Sequence, residues 1–327
     1  MNALALIQVT VFYVGLKINL EFHMRIVSLL PAATEIICRL GLEDCLVGVS
    51  HECDYPSSVK SLPKITESLL EANLTPEQIN EAVENSNLTS QPLYKINIDR
   101  LNSVRADVVI TQRICSVCAV NSSMLDEAIS VVELSSMGEF EIIFLDGLDL
   151  AGITEDIFRL GEALDVRRDS EQLCSWMRHA YLDNSCIETD APRVLMLEWP
   201  DPPWYGGHWV PEQVACAGGR NLFGIAGQPS RQSTWEDIYS SDPDIIVVCA
   251  CGFNCDDNYA FGKAFVTSDV IRDKDFLREI DVWAVDANSY FSRPGPRVVE
   301  GIELLRSIFE QRGKQINVVD GRRVLHS

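Results

Sequence analysis

The stretch Asp149–Asn184, near the middle of a 327-residue chain, restricts the fold most. It reads as two helical segments. The first carries Ile153, Ile157, Leu160 and Leu164 at spacings of three and four, which line one helix face. The second is expected to follow Asp169 as its N-cap, with Gln172 three positions on, and carries Leu173, Trp176, Met177, Ala180 and Tyr181. On either side the same alternation of apolar runs and helical patterns starts afresh. Arg25-Ile26-Val27-Ser28-Leu29-Leu30-Pro31 opens one half, and Arg193-Val194-Leu195-Met196-Leu197-Glu198-Trp199-Pro200 opens the other. The expected organisation is an extension at 1–23, an N-terminal α/β lobe at 24–148 and a helical spine at 149–184. A C-terminal α/β lobe at 185–312 and a tail at 313–327 complete it. Function is expected in a cleft between the lobes.

The length suits two domains, each large enough to bury a core. A formal charge of −21 argues against a nucleic-acid partner, because phosphate binding rests on Lys and Arg. Eleven cysteines without a framework spacing, an odd count, point to a reducing compartment rather than a disulfide scaffold. The glycosylation-type triplets at Asn73, Asn87 and Asn121 matter only in a secreted chain. Residues 1–23 are apolar, but they lack a basic leader and a small-residue cleavage site, and Lys17 and Glu21 interrupt them. The run is also too short and broken to span a bilayer. We therefore expect no stable membrane insertion, and a cytoplasmic rather than a periplasmic or membrane-anchored protein.

Strands are predicted at Ile26–Leu30, Leu46–Val49, Val108–Thr111 and Ile142–Leu145 in the first half. In the second they are predicted at Val194–Leu197, Ile245–Cys249 and Val282–Val285. Helices are predicted from Thr34 to Leu40, from Thr75-Pro76-Glu77, over Gln213–Ala217 and Trp235–Tyr239, and over Val298–Gln311. Strands alternating with helices imply mainly parallel sheets. The unusual residues follow strand ends, at 51–55, 112–118, 198–209, 250–255 and 286–293. In open α/β sheets ligands bind beyond those carboxyl ends.

Three groups of residues carry candidate chemistry. Trp199, Trp204, Tyr205, Trp209, Phe253, Tyr290 and Phe291 exceed what turns normally hold, since turns favour Gly, Pro, Asn and Asp. Rigid aromatic walls suit a large planar macrocycle, although any one of these rings can equally be core. Arg293 is a candidate for an anionic group such as a phosphate or propionate. His51, Glu52, Cys53 and Asp54, with His208 from the other lobe, form a second group. His51 can ligate cobalt or iron through an imidazole nitrogen, or serve as a polar contact. Tyr55 and Gln112 stand with these as ligand-facing candidates. The third group is Cys115-x-x-Cys118 with Cys251 and Cys255, which can close on zinc or iron or remain reduced, partly buried thiols. No nucleophile elbow, phosphate loop or His-Glu-x-x-His helix supports catalysis. A Cys53 or Cys115 nucleophile with a histidine base is the remaining enzymatic option.

From Arg25 to about Gln311 the chain resembles the substrate-binding proteins of ABC importers for vitamin B12 and iron–siderophores. The resemblance rests on Arg25–Glu35 (RIVSLLPAATE), Val49–Pro56 (VSHECDYP) and Arg105–Gln112 (RADVVITQ). In the second half it rests on Pro202–Phe223 (PPWYGGHWVPEQVACAGGRNLF), Asp242–Val248 (DPDIIVV) and Ser289–Arg297 (SYFSRPGPR). HECDYP and the Cys115/Cys118 pair look like the stand-alone, leaderless members often labelled cobalamin-binding. The resemblance implies two Rossmann-like lobes with mainly parallel sheets joined by a long backbone helix, the class III periplasmic-binding-protein fold. It implies a cobalamin-like corrinoid or metal chelate as ligand, held by the proteins it resembles without a protein ligand to cobalt. It also implies docking on an ABC permease through one acidic residue per lobe, at Asp99 and Glu236. The competing expectations are a cysteine-ligated metal or redox protein, a thiol-dependent enzyme, or a protein-interaction module on the same fold.

Overall fold

The computed structural model describes residues 24–70, 78, 82, 93–112, 140–182, 190–268, 280–311 and 320–324. The chain divides into two units. One is Met1–Asp146 with Asp156–Leu173, the other Gly147–Glu155 with Cys174–Ser327.

The strands of the first unit are β1 (Ile26–Ser28), β2 (Leu46–Val49), β3 (Thr66–Ser68), β4 (Tyr94–Ile96), β5 (Val108–Thr111) and β6 (Glu141–Phe144). The four predicted apolar runs become β1, β2, β5 and β6, whereas β3 and β4 were not expected. Four of them form a parallel sheet in the order β2-β1-β5-β6, while β3 and β4 pair antiparallel by themselves. Helix α1 (Pro31–Arg39) starts three residues before the expected Thr34. Proline is well placed at a first helical position, because that N–H has no helical partner to lose. Thr34 instead points inward, its hydroxyl 2.9 Å from Ser28 Oγ and 3.1 Å from Cys53 Sγ. Helix α2 (Ile98–Val104) is capped by Asn97, which accepts from the Arg100 N–H at 3.1 Å. The core gathers Val27, Leu29, Ile65, Leu101, Val104 and Val109.

The two helical segments of the spine are α3 (Leu150–Ala163) and α4 (Arg167–Leu182). They run back along each other. A side chain at Gly161 would collide with Ser170, and Cys174 Sγ donates to the Thr154 carbonyl at 3.3 Å. Both helices are shared out between the units, because Asp156–Leu173 belongs to the first and the flanking segments to the second.

The second unit is built on a seven-stranded sheet. Its elements are β7 (Arg193–Pro200), β8 (Pro203–Tyr205), α5 (Val210–Cys216), β9 (Arg220–Asn221), β10 (Arg231–Gln232) and α6 (Trp235–Ser241). They continue with β11 (Ile245–Val248), α7 (Cys255–Thr267), β12 (Asp281–Val285), α8 (Ala287–Tyr290), α9 (Val298–Glu310) and β13 (Gly321–Arg323). The path is β10-β8-β7-β11-β12-β13, with β9 on β7, and the central three strands are parallel. All four side chains of β11 are fully buried, as its unbroken Ile-Ile-Val-Val run requires of a strand covered on both faces.

Strand β13 falls inside the stretch expected as a tail. It pairs antiparallel with β12, Val324 enters the core cluster, and Arg323 pairs with Asp281. Arg322 reaches Asp256 at 2.6 Å and lies over the Tyr259 ring. Of the helix expected from Thr75 only Gln78 and Ala82 are described, both helical, and the loop holding Cys115 and Cys118 lies outside the described residues. No described helix is long and apolar enough to cross a membrane.

Candidate functional site

The three loops that leave β7, β11 and β12 at their carboxyl ends meet within the second unit. Gly252 N–H donates to Ser292 Oγ at 3.2 Å, and Asn288 N–H to the Phe253 carbonyl at 3.0 Å. The Trp199 and Phe253 rings stand 6.3 Å apart, and both touch Phe261, at 6.2 and 4.9 Å. Two fully buried amides hold this arrangement. Asn258 bonds to Ala250, Phe253 and Val285, and Gln213 donates to the Tyr290 and Val298 carbonyls. Sequence reasoning did not single out either. The signal available was a lone polar residue on the inner face of a helix, which is weak without the neighbours in view.

The candidate aromatics separate into two sets. Trp199, Trp204, Phe253 and Tyr290 keep partial solvent contact. Trp209 and Phe291 are 6% and 5% exposed and pack inside the unit, and Tyr205 stacks on Phe223 against the core. The Tyr290 hydroxyl donates to Asp320 at 2.8 Å, and Arg297 lies over its ring. Burial, with Asp320 alongside, pushes the Tyr290 phenol up to about 12. Arg293 is 5% exposed and donates to Asn288 Oδ1 at 3.1 Å, so it sits under the face rather than waving above it.

His208 occupies the left-handed region at φ +52°, unusual for a residue other than glycine. Its backbone is fixed there by the Gln228 carbonyl at 2.6 Å and the Gly227 N–H at 3.0 Å. A side chain on the preceding Gly207 would collide with that same Gln228 carbonyl, so glycine is needed beside it. Burial lowers the pKa of the His208 ring, which favours neutral imidazole. Such strain persists only where its surroundings enforce it, and it concentrates at ligand sites.

Glu198, absent from the expected site residues, precedes Trp199 near the end of β7. Burial raises its carboxyl to about 7 against the opposing hydrogen bond from Ser230.

In the first unit the predicted loop after β2 is present. His51 Nδ1 is 2.7 Å from Thr66 Oγ1, which also accepts the His51 N–H and bonds to Ser50. Nε2 stands 3.2 Å from Glu52 Oε1. Both ring nitrogens thus face protein groups, an arrangement suited to a fixed polar contact; metal ligation through Nε2 requires the exposed Glu52 to swing away. Asp54 and Tyr55 are exposed, Tyr55 by 49%, and Gln112 is buried at the end of β5. Asp99 and Glu236 are both exposed, each in the first turn of a short helix.

Cys251 is exposed, and Cys255 points its thiol toward the Ala284 carbonyl at 3.6 Å. Cys115 and Cys118 lie outside the described residues, so the four-thiolate arrangement has only this half in view. Among the described residues, no three of His, Cys, Asp and Glu gather as a metal-binding group.

No protein-family model matches the chain. YvrC of Bacillus subtilis, an uncharacterised ABC transporter substrate-binding lipoprotein, is 25% identical over 304 residues, covering 89% of this chain and 82% of its own. The vitamin B12-binding protein of Yersinia pestis is 23% identical over 280 residues, covering 84% and 82%. The chain is thus similar to ABC-transporter substrate-binding proteins. The crystal structure of a periplasmic heme-binding protein from Pseudomonas aeruginosa superimposes on 93% of this chain and 98% of its own. The TM-score is 0.64 at 17% identity. The α/β fold expected of the periplasmic binding proteins is therefore the fold present. The expectation of a cytoplasmic protein is corrected. The relatives include a lipoprotein and the structural neighbour is periplasmic, locations outside the cytoplasm. That expectation leaned on residues 1–23, and the composition of one segment does not set a compartment.

Proposed function

We propose that this chain is the substrate-binding component of an ABC import system, working outside the cytoplasm, and that its ligand is a corrinoid or a related metal chelate. The observation that carries the reading is the convergence of the chain at three strand ends, bringing Trp199 and Phe253 together, on a fold shared with binding proteins. Named relatives and neighbours bind vitamin B12 or heme, both large flat metal macrocycles. Aromatic faces hold such rings by stacking and by excluding water. Asp99 and Glu236, acidic and exposed, are the permease-docking residues of this reading. Nothing in it asks for turnover, and the chain acts as a binding protein rather than an enzyme.

Titration calorimetry with cobalamin and cobinamide tests it. Trp204→Ala should weaken binding by about 1–3 kcal/mol, roughly five- to two-hundred-fold in Kd, and His51→Ala by less. Trp209→Ala should instead lower the melting temperature, because that ring is packed inside. No heat with either corrinoid at protein concentrations about 100 times a micromolar Kd rejects the corrinoid ligand.

A further inference from the structure

Glu198 is the polar group of the second unit's face that no motif accounts for. Strand β7 pairs Leu197 with Tyr205 and Trp199 with Trp204 of β8, so Glu198 is the extra residue of a bulge. Bulges at strand ends re-aim a side chain. Gly206 opposite makes room for it. A Cβ there would stand 3.3 Å from Glu198 Oε1 and 2.9 Å from Val210 Cγ1. Glu198 keeps partial solvent contact, while burial raises its carboxyl. Its stabilising partner is a hydroxyl, Ser230, and not a cation. Ser230 is itself fixed, accepting the Gly207 N–H at 3.1 Å. The next residue, Trp199, belongs to the aromatic cluster with Phe253 and Phe261.

We propose that Glu198 meets the ligand directly and selects macrocycles rimmed with carboxamides over those rimmed with carboxylates. The inference rests on the macrocycle reading above and names the ligand class within it. A carboxamide offers both donors and an acceptor. A protonated Glu198 donates to its carbonyl, and an ionised Glu198 accepts from its N–H, so the pair is satisfied in either state. A ligand carboxylate offers acceptors alone. Beside an ionised Glu198 it repels, and two carboxyls at one spot must share a proton, at a cost that grows with pH. A single hydroxyl cannot neutralise the second charge. Corrin rings carry carboxamide arms and heme carries propionates, so the face suits the corrin.

Quenching of tryptophan fluorescence by dicyanocobinamide and by hemin, on the full chain and on Glu198→Gln and Glu198→Leu, tests this. The parent should bind cobinamide at least about tenfold tighter than hemin. Glu198→Gln, which removes charge and keeps shape, should hold cobinamide within about threefold and tighten hemin about tenfold. Glu198→Leu should weaken cobinamide about tenfold, bringing the two ligands close together. If the leucine variant fails to fold, the glutamine variant decides by itself. A parent that prefers hemin, or a hemin-to-cobinamide ratio unchanged by Glu198→Gln, overturns the selection while leaving macrocycle binding standing. A parent that binds neither ligand removes the macrocycle reading and the selection with it.

Discussion

Replacing Asn258 should cost more than replacing any residue that touches solvent on the candidate face. The side chain is fully buried and its amide is completely used. Oδ1 accepts from the Ala250 N–H at 2.9 Å, while Nδ2 donates to the carbonyls of Phe253 at 3.2 Å and Val285 at 2.9 Å. Leucine fills nearly the same volume and satisfies none of the three. One N–H and two carbonyls then stay buried without their partner, each at about 1–3 kcal/mol. Relaxation and water entry reduce the sum, so Asn258→Leu should lose about 3–5 kcal/mol of stability. The Phe253 loop should also lose its position, since two of the three bonds go to Ala250 and Phe253. Urea unfolding followed by near-ultraviolet circular dichroism measures the loss. Trp283, fully buried in β12, reports on this unit, which matters because a two-unit chain need not unfold in one step. A loss below about 1 kcal/mol, with ligand binding unchanged, would show that the amide is dispensable and that something else sets the loop.

The spine gives a second expectation. Gly161→Val puts a branched side chain into Ser170 and should destabilise by about 1–3 kcal/mol, measured as a lower urea midpoint; an unchanged midpoint refutes close contact there. The third concerns pH. Burial raises the Glu198 carboxyl from 4.5 to about 7, so the folded protein binds this proton more tightly than the unfolded chain. Its stabilisation is complete below pH 4.5 and is lost as pH rises toward 7. Relative to Glu198→Gln, the parent should lose up to about 3 kcal/mol between pH 4.5 and 8. Parallel stability profiles for the two proteins contradict the cause assigned.

Much of the fold was legible because its central strands are buried on both faces. Ile26–Ser28, Val108–Thr111 and Ile245–Val248 announce themselves as mainly apolar runs, and hydrophobic burial accounts for them. The peripheral strands carry no such mark. Arg220–Asn221, Arg231–Gln232 and Gly321–Arg323 are polar, and they become strands by adding backbone hydrogen bonds to an edge that already exists. Helix α7 had a readable start in Asn254, whose side chain accepts from the Asp256 and Asp257 N–H groups, but Cys251 and Cys255 drew the reading toward metal. At the site, residue type located the loops and could not sort them. Trp204 and Trp209 fall in one stretch expected as a loop, yet Trp204 lies in β8 and meets solvent while Trp209 precedes α5 and packs inside. Glu198 escaped because the bulge that re-aims it exists only once β8 is paired.

The path of α3 and α4 bears on how this protein can be taken apart or recombined. Between Asp146 and Cys174 the chain changes unit three times, because Asp156–Leu173 is lent to the first unit from within the second. Neither unit is a contiguous piece of the gene. An expression fragment ending at 148 leaves the first unit without Ile157, Leu160 and Leu164, all buried, and one beginning at 149 carries those residues without the rest of their unit. A chimera with a relative that exchanges one unit by a single crossover inherits a mismatched helix pair, with Gly161 and Ser170 facing foreign neighbours. Exchange that respects the units needs three junctions, so their binding faces are expected to diversify by substitution in the strand-end loops more readily than by shuffling of whole lobes.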